Sequence, residues 1–316
     1  MYKLAIVFSG QGSQYVNMGM DYIDHDQAYK RMADQASEIL GFDVIDHFKS
    51  DESMKKTLYT QTLMVLKTIF GFEELKKLSP KISAISGFSL GEYSAYYAAS
   101  VFDFNQIMNI VSKRAFYMDQ ETKHKKGLMA AIIGLDKKII HDVCITLQHQ
   151  GIIDIANENE PKQYVISGEE ALVVKASEML KEKGARRAIV LQTSGAFHTS
   201  LMNNASKKLV EDIKNDDILK PNKSKFKIYM NLDAKPLEDK DIFNHIENQM
   251  THPVLFIDTI LNMKRDGITH ILEIGPGKVL TNLIRKIDST IETLSFDGLE
   301  SFDTVKGWLE TYGFTK

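Results

Sequence analysis

The stretch SAISGFSLGEYSAYYAAS, residues 83–100, runs from a short apolar segment through two glycines into a segment rich in alanine and tyrosine. Its centre, Gly87-Phe88-Ser89-Leu90-Gly91, fits the pattern G-x-S-x-G. Together with the run KISAIS, it predicts a strand, a tight turn and a helix, which would lift the Ser89 hydroxyl above a sheet. The backbone amide of Leu90 would then face a negative charge at a helix N-terminus. The alternative is a glycine-rich strand-to-helix turn with an incidental serine, and five residues alone do not separate the two.

Around this stretch, short apolar runs alternate with longer amphipathic segments, which is typical of an α/β protein with a largely parallel sheet. The predicted strands are KLAIVF, KISAIS, RRAIVLQ, KFKIYMN and THILEIG. The predicted helices lie near residues 27–40, 61–78, 91–100, 104–120, 169–183, 199–215 and 277–286. No low-complexity tract, heptad array or solenoid-length repeat interrupts this order.

The middle of the chain follows a different order of elements. GLMAAIIGLD (127–136) predicts a strand, residues 137–151 a helix, and IIDIANE (152–158) a second strand. A strand at 162–168, a helix at 169–184 and a strand at 185–191 follow. This β-α-β-β-α-β order is that of a ferredoxin-like domain. We therefore predict a small domain at 126–192, inserted in a larger domain formed by residues 1–125 and 193–316.

Composition and charge argue against several classes of function. The chain has 316 residues, 43% of them apolar, and a formal net charge of −3, so we expect no nucleic-acid partner. Its start, MYKLAIVFSGQG, predicts a buried strand and not a signal peptide, and no run approaches the length of about 18 apolar residues that spans a membrane. The single cysteine, Cys144, is expected to be a buried thiol, which suits a reducing cytoplasm. No metal-ligand spacing or redox-cofactor fingerprint appears, so no metal is expected.

A serine nucleophile needs a general base, and nine histidines are available. His198 lies in LQTSGAFHTSLM, after the predicted strand RRAIVLQ and before a predicted helix. Because open parallel sheets bind ligands at the carboxyl ends of their strands, we interpret His198 as the base for Ser89. An acidic third member is not evident. Asp233, in NLDAKP, lies in a predicted loop, and we do not assign it this role.

Eight segments of the chain occur in an order that resembles one family. They are FSGQGSQ (8–14), GFSLGEYSA (87–95), the arginine of SKRAFYMDQ (112–120), GLMAAIIGLD, ANENEPKQYVISG, SGAFHTSLM, NQMTHPVLF (248–256) and EIGPGKVL (273–280). Together they resemble the malonyl-CoA:acyl-carrier-protein transacylases of type II fatty acid synthesis, from about residue 3 to residue 290. The resemblance implies an α/β-hydrolase-like core with a parallel sheet, plus the inserted ferredoxin-like domain. It also implies a cytoplasmic enzyme that needs no cofactor, with the CoA thioester as substrate, and we expect a monomer without a nucleic-acid or membrane partner.

In this family a Ser-His pair moves the malonyl group from malonyl-CoA to the pantetheine thiol of acyl carrier protein, by a ping-pong route through a malonyl-serine ester. Carried onto this chain, the resemblance implies Ser89 as nucleophile, His198 as base, backbone amides of Gln11 and Leu90 as the oxyanion hole, Arg114 as the malonyl carboxylate ligand, Phe197 as a ring that limits α-branched acyl groups, and Gln249 as a residue that orients His198 through a backbone carbonyl. A guanidinium matches a carboxylate with two parallel hydrogen bonds, which fits the role of Arg114.

Two features leave alternatives open. The family usually has histidine at the second position of the G-x-S-x-G turn (residues 87–91, here called the elbow), where this chain has Phe88, so the acyl selectivity is not fixed by the motif. A free-standing acyltransferase for a polyketide assembly line would share the chemistry, and an acyl hydrolase would need water at the ester and often a weakened carboxylate ligand. The basic residues Lys181, Lys183, Arg186 and Arg187 either steer an acidic carrier protein or form a solvated face.

Overall fold

The computed structural model describes residues 2–315 and places its strands in two sheets. The strands are β1 (Leu4–Phe8), β2 (Ile82–Gly87), β3 (Gly127–Ile133), β4 (Ile153–Glu160), β5 (Gln163–Glu169), β6 (Arg187–Val190), β7 (Lys227–Tyr229), β8 (His270–Ile274) and β9 (Glu292–Phe296). The helices are α1 (Met20–His25), α2 (Gln27–Leu40), α3 (Val44–Phe48), α4 (Asp51–Lys55), α5 (Thr57–Lys76), α6 (Gly91–Ala98), α7 (Phe104–His124), α8 (Lys137–Gln148), α9 (Glu170–Glu182), α10 (Asn203–Asn215), α11 (Ile242–Gln249), α12 (Phe256–Arg265), α13 (Val279–Ile287) and α14 (Phe302–Thr311). In this described part of the chain, no helix combines the length and the hydropathy needed to cross a bilayer.

The larger sheet is parallel and has the strand order β7-β2-β1-β8-β9. Every residue of the central strand β1 is buried, and its side chains alternate between two hydrophobic clusters. Leu4, Ile6 and Phe8 enter one cluster, whereas Ala5 and Val7 enter the other. A strand buried on both faces requires helices on both sides of the sheet. The predicted α/β class with a parallel sheet is therefore confirmed.

Helices cover both faces of this sheet. Helices α5 and α7 contribute to the cluster on one face, and α12 and α13 contribute to the cluster on the other. Most residues of α5, TLYTQTLMVLKTIFGFEELK, are buried, polar ones included, because the helix is enclosed by other elements. It begins at Thr57, four residues before the predicted start at residue 61. Helix α7 begins with a capping box between Asp103 and Gln106.

The smaller sheet is antiparallel, with the strand order β4-β5-β3-β6. Its elements follow the predicted β-α-β-β-α-β succession, and α8 and α9 pack against it around a separate hydrophobic cluster that includes Cys144. One prediction is wrong here: His198 does not follow a strand of the parallel sheet, because β6 pairs antiparallel with β3. The apolar run RRAIVLQ predicts a strand in either kind of sheet, so periodicity could not identify its partner.

The smaller sheet contacts the segment behind His198. Asn157 of β4 forms a parallel bridge with Val254, and the backbones of Ala156 and Glu158 bond to the same residue at 2.9 and 3.0 Å. Val254 follows the loop that carries His252, whose carbonyl contacts the His198 ring. The edge strand of the smaller sheet therefore buttresses the loop behind this histidine.

Several elements were missed by the sequence analysis, namely α1, α3, α4, α11, α12, α14 and β9. Strand β9 has a burial pattern that is neither continuous nor alternating, so it gives no clear period. The proposed domain limits at 126–192 enclose all four strands of the antiparallel sheet, and the limits themselves stay a prediction.

Candidate active site

The turn between β2 and α6 is closed by backbone packing that only glycine permits. A Cβ atom at Gly87 would lie 2.0 Å from the backbone of Gly91, and one at Gly91 would lie 2.2 Å from the carbonyl oxygen of Phe8. Between them, Ser89 has a φ angle of 50°, in the left-handed region that non-glycine residues rarely adopt. Such conformations persist where surrounding contacts enforce them, and they are frequent at functional sites.

Ser89 and His198, which lie 109 positions apart in the sequence, meet in the structure. The Ser89 Oγ and His198 Nε2 atoms are 2.7 Å apart. On the other side of the ring, Nδ1 lies 2.9 Å from the Gln249 carbonyl and 3.1 Å from the His252 carbonyl. Because a carbonyl oxygen can only accept, Nδ1 carries the proton, and the Nε2 lone pair faces the serine hydroxyl. This is the tautomer that a general base needs.

The protonation equilibrium of His198 favours the same state. Burial is the larger cause and the Arg114 cation the second of a shift that lowers the pKa of His198 to about 4, and the hydrogen bonds to Gln249 and His252 oppose this shift. The imidazole is therefore neutral at pH 7. The backbone of His198 has a φ angle of 60°, which is also in the left-handed region, and its N–H donates to the Met250 carbonyl at 2.9 Å.

Arg114 lies on α7 and is 2% exposed. Its guanidinium donates to the side-chain oxygens of Gln61 and Gln249, the latter at 3.1 Å, and stands 5.2 Å from the centre of the Tyr93 ring. Among residues 2–315, no carboxylate oxygen comes within 4.0 Å of its nitrogens, and its buried Nε has no acceptor. Burial lowers the pKa of Arg114, since a charge without a counter-ion is poorly accommodated in the interior.

Gln249 contacts Ser89 and Arg114 through its side chain and His198 through its backbone. Its Nε2 donates to the Ser89 carbonyl at 2.6 Å, its Oε1 accepts from Arg114, and its backbone carbonyl accepts from His198. Sequence analysis assigned Gln249 only the carbonyl contact to the histidine. The side-chain contacts place the guanidinium and the serine at a fixed spacing.

Gln11 and Leu90 both line the cavity next to Ser89. Within residues 2–315, neither backbone N–H group donates to a protein acceptor. Leu90 stands at the N-terminus of α6, where the helix dipole favours negative charge. The arrangement has the features of an oxyanion hole, although the assignment of these two amides stays a prediction.

The cavity above Ser89 has a volume of about 220 Å³ and lies between the two sheets. Its lining includes Ser9, Gln11, Phe88, Ser89, Leu90, Arg114, Met118, Met129, Asn157, Asn159, Gln163, Phe197, His198, Leu280 and Leu283. The ring of Phe197 is 7% exposed and faces this space beside His198. The ring of Phe88 packs edge-to-face on Phe256 at 5.3 Å and adds an apolar side chain to this lining.

Two residues at this site were missed by the sequence analysis. Gln61 holds the Arg114 guanidinium from α5, and Asn231 contacts the backbone of the elbow. No local motif marks either position, and Asn231 lies only two residues before Asp233, the acid left unassigned. Asp233 accepts from the backbone of Lys235 and does not contact His198, whose Nδ1 donates to carbonyls instead.

Other sequence features lie outside the cavity. Lys181, Lys183, Arg186 and Arg187 are exposed, at the end of α9 and the start of β6. Cys144 is 2% exposed within α8, and burial raises the pKa of its thiol to about 12, so it is not a reactive thiolate. Across residues 2–315, no group of three or more histidine, cysteine, aspartate or glutamate side chains is placed to hold a metal ion.

Comparisons with known proteins find relatives over nearly the whole chain. Residues 5–295 match the family described as acyl transferase domain. The chain is 35% identical over 312 residues to the malonyl CoA-acyl carrier protein transacylase of Bacillus subtilis (strain 168), and the match covers 96% of each chain.

Solved structures show the same fold. MCAT from Streptococcus pneumoniae superimposes with a TM-score of 0.91 at 34% identity, covering 97% of this chain and 100% of that chain. PlMCAT, a malonyl-transacylase in complex with the holo form of AntF, a type II PKS acyl-carrier protein, superimposes with a TM-score of 0.92 at 31% identity. That match covers 96% of this chain and 99% of the other.

Proposed function

This chain belongs to the acyl transferase family, and we propose that it transfers the malonyl group of malonyl-CoA to the pantetheine thiol of an acyl carrier protein, for fatty acid synthesis. The observation that carries the proposal is Arg114, a buried cation without a carboxylate partner among residues 2–315, in the same cavity as the Ser89–His198 pair. An acyl group that ends in a carboxylate supplies the charge that this site lacks.

In the first half-reaction, Ser89 attacks the thioester carbon of malonyl-CoA while His198 Nε2 takes the hydroxyl proton. The oxygen–carbon bond forms, and the carbonyl oxygen becomes an oxyanion that the amides of Gln11 and Leu90 stabilise. The intermediate collapses with cleavage of the carbon–sulfur bond. His198 returns its proton to the departing CoA sulfur, which leaves a malonyl ester on Ser89 and a neutral imidazole.

The second half-reaction repeats these steps in the opposite sense. His198 takes the proton of the carrier protein's pantetheine thiol, and the sulfur attacks the ester carbon. The same two amides hold the second oxyanion, the carbon–oxygen bond to Ser89 breaks, and the serine regains a proton from the imidazole. One oxyanion hole therefore serves both half-reactions of the ping-pong cycle, and each of its two N–H donors contributes about 10²–10³-fold to the rate.

Arg114 selects the acyl group by its charge. A malonyl carboxylate forms two charge-assisted hydrogen bonds with the guanidinium, whereas an acetyl group leaves the buried cation without a counter-ion. Phe197, at the wall beside His198, limits the room for a branch at the α-carbon. A site that must satisfy a buried charge also disfavours the acyl hydrolase alternative, which does not need a carboxylate ligand.

The architecture supports the same proposal. The β4-β5-β3-β6 sheet with α8 and α9 corresponds to a ferredoxin-like small domain, and the parallel sheet with its elbow corresponds to an α/β-hydrolase-like core. The cavity lies where the two meet, which leaves the exposed basic residues of the small domain available to an acidic carrier protein. The relative bound to a type II PKS carrier protein makes a polyketide carrier the second candidate acceptor.

The experiment that tests this function follows the malonyl group. Purified enzyme is incubated with radiolabelled malonyl-CoA and a holo carrier protein from fatty acid or polyketide synthesis, and labelled carrier protein and free malonate are measured separately. We expect transfer to exceed hydrolysis, and intact-mass spectrometry to show one malonyl group on the enzyme. Ser89→Ala should abolish this adduct, and the matched variant Ser289→Ala, at an exposed position, should keep it. Release of free malonate as the main product would instead support a hydrolase.

A further inference from the structure

The Ser89 peptide is held at both ends by side-chain amides from distant parts of the chain. Its N–H donates to Asn231 Oδ1 at 2.6 Å, and its carbonyl accepts from Gln249 Nε2 at 2.6 Å. The Asn231 amide also donates from Nδ2 to the Gly87 carbonyl at 2.6 Å. One asparagine side chain therefore spans the turn from the last residue of β2 to the serine.

The orientation of this amide is fixed by its partners. The Ser89 N–H can only donate and the Gly87 carbonyl can only accept, so the reversed amide would place like groups against each other at both ends. Asn231 is 1% exposed, and its own backbone is also held. Its N–H donates to the Glu92 carboxylate of α6, and its carbonyl accepts from Leu255 at 3.1 Å.

These contacts act on the strained part of the elbow. The φ angle of 50° at Ser89 is held only if contacts outside the residue stabilise it. A relaxed φ would rotate the Ser89 side chain relative to His198 and turn the Leu90 N–H away from the oxyanion. This rotation is about the N–Cα bond of Ser89, and the structure holds both sides of that bond. Asn231 fixes the peptide on the N-terminal side through the Ser89 N–H and the Gly87 carbonyl, and Gln249 holds the Ser89 carbonyl on the other side.

We propose that Asn231 is a positioning residue: its side-chain amide locks the left-handed conformation of Ser89 and so sets the hydroxyl at bonding distance from His198. This inference rests on the proposed function for the identity of the substrate, malonyl-CoA. The contacts of Asn231 with the elbow do not depend on that function. Asn231 touches no substrate, so its loss should slow acylation of Ser89 and leave the affinity for malonyl-CoA unchanged.

The first test compares Asn231→Ala with Asn204→Ala, an exposed asparagine of α10. For Asn231→Ala we expect about a 10²-fold lower kcat for malonyl transfer with KM within threefold, because small misplacements of a reacting group have effects of that size. Asn204→Ala should match the unmodified enzyme. A kcat for Asn231→Ala within threefold of the unmodified enzyme would overturn the proposal.

The second test uses Asn231→Asp, which reproduces the amide only when it is protonated. A neutral carboxyl group donates to the Gly87 carbonyl and accepts from the Ser89 N–H, whereas a carboxylate cannot donate. The titratable and charged groups around this position are Glu92 on α6, Asp233 on the same loop, Arg114 on α7, and His198. We expect the activity of the aspartate variant, relative to the unmodified enzyme, to rise as the pH falls. The relative activity of Asn231→Ala should stay level.

A fluorophosphonate reagent keeps the two proposals separate, because it labels an activated serine without malonyl-CoA or carrier protein. Normal labelling of Ser89 without malonyl transfer would reject the proposed function. The labelling of the Asn231 variants could still be compared with that of the unmodified enzyme. Equal labelling of the aspartate and unmodified proteins at every pH would reject the positioning role. If Asn231→Ala does not fold, the aspartate variant, measured at two pH values where circular dichroism shows it folded, decides the question alone.

Discussion

Lys67 and Arg114 are buried cations on two long helices of the core, α5 and α7, and they differ in their hydrogen-bond and charge partners. Lys67 Nζ lies 2.8 Å from the Asp297 carboxylate and also donates to the Asp297 carbonyl. Within residues 2–315, the partners of Arg114 are the amide oxygens of Gln61 and Gln249 and the face of the Tyr93 ring. Lys67 lies outside the cavity, and Arg114 lines it.

The difference separates a cation that stabilises the fold from one that we propose binds a ligand. Burial lowers the pKa of Lys67, and Asp297 opposes this shift with an internal counter-ion. Asp297 in turn accepts from the N–H of Gly277 and the hydroxyl of Tyr15, so the pair ties together three segments of the chain. Among residues 2–315, Arg114 has no carboxylate within 4.0 Å, and we propose that the carboxylate of an acyl substrate supplies this counter-ion.

The largest expected effect is on activity. Arg114→Met should lower kcat/KM for malonyl-CoA by about 10²–10⁴-fold, because two hydrogen bonds to a charged group contribute about 1.5–3 kcal/mol each. Use of acetyl-CoA should fall far less, since acetyl makes neither bond. Lys67→Met, measured at a temperature where circular dichroism shows it folded, should stay within threefold of the unmodified enzyme. Equal losses in the two variants would remove the distinction between the cations.

The next expected effect is on stability, and here the Lys67 variant should lose more than the Arg114 variant. Lys67→Met should lower the free energy of unfolding by about 3 kcal/mol, because it leaves Asp297 without its cation, and the 29% exposure of that side chain limits the loss. Arg114→Met should change it by only about 1 kcal/mol, since removal of an unpaired buried charge offsets the lost hydrogen bonds.

Urea unfolding followed by circular dichroism, without substrate, measures both values. The double variant Lys67→Met/Asp297→Asn should recover part of the stability lost in the single variant, because no uncompensated carboxylate remains. A double variant that is less stable than Lys67→Met would show that the ion pair is not the source of the effect.

The elbow could be predicted from sequence because its causes are local. Gly87 and Gly91 are required by contacts within the turn and with the adjacent strand, and the strand and helix around Ser89 have clear periods. The alternation of elements likewise predicted the parallel sheet and the β-α-β-β-α-β succession of the antiparallel one. Both follow from patterns that extend over only a few residues.

The supporting contacts could not be predicted in this way. Asn231 lies 142 positions from Ser89, and Gln61 lies 53 positions from Arg114, so neither contact leaves a trace in local pattern. The resemblance to a family, and not the spacing of charges, identified Arg114 as a candidate ligand. His198 was proposed for a partly wrong reason, because the strand before it belongs to the antiparallel sheet.

The smallest expected effect concerns the pH dependence of His198 and again separates the two cations. The base form of His198 is required for attack, and burial together with the Arg114 charge lowers the pKa of His198 to about 4, so the imidazole is neutral at pH 7. Labelling of Ser89 by a fluorophosphonate should therefore persist through pH 6.5 and decline only toward pH 4.

Arg114→Met removes the second cause of the lowered pKa, so the decline of labelling should move to higher pH, whereas Lys67→Met should leave it in place. Burial is the larger cause of the lowered His198 pKa, so the midpoint of the decline in labelling should remain below pH 6.5, the ordinary pKa of histidine. The same shift has a consequence for folding. Between pH 6.5 and 4 the unfolded chain binds a proton at His198 that the native state does not, so this residue reduces stability as the pH falls through that window. A decline of labelling that stays fixed in Arg114→Met would show that the guanidinium charge does not reach the imidazole.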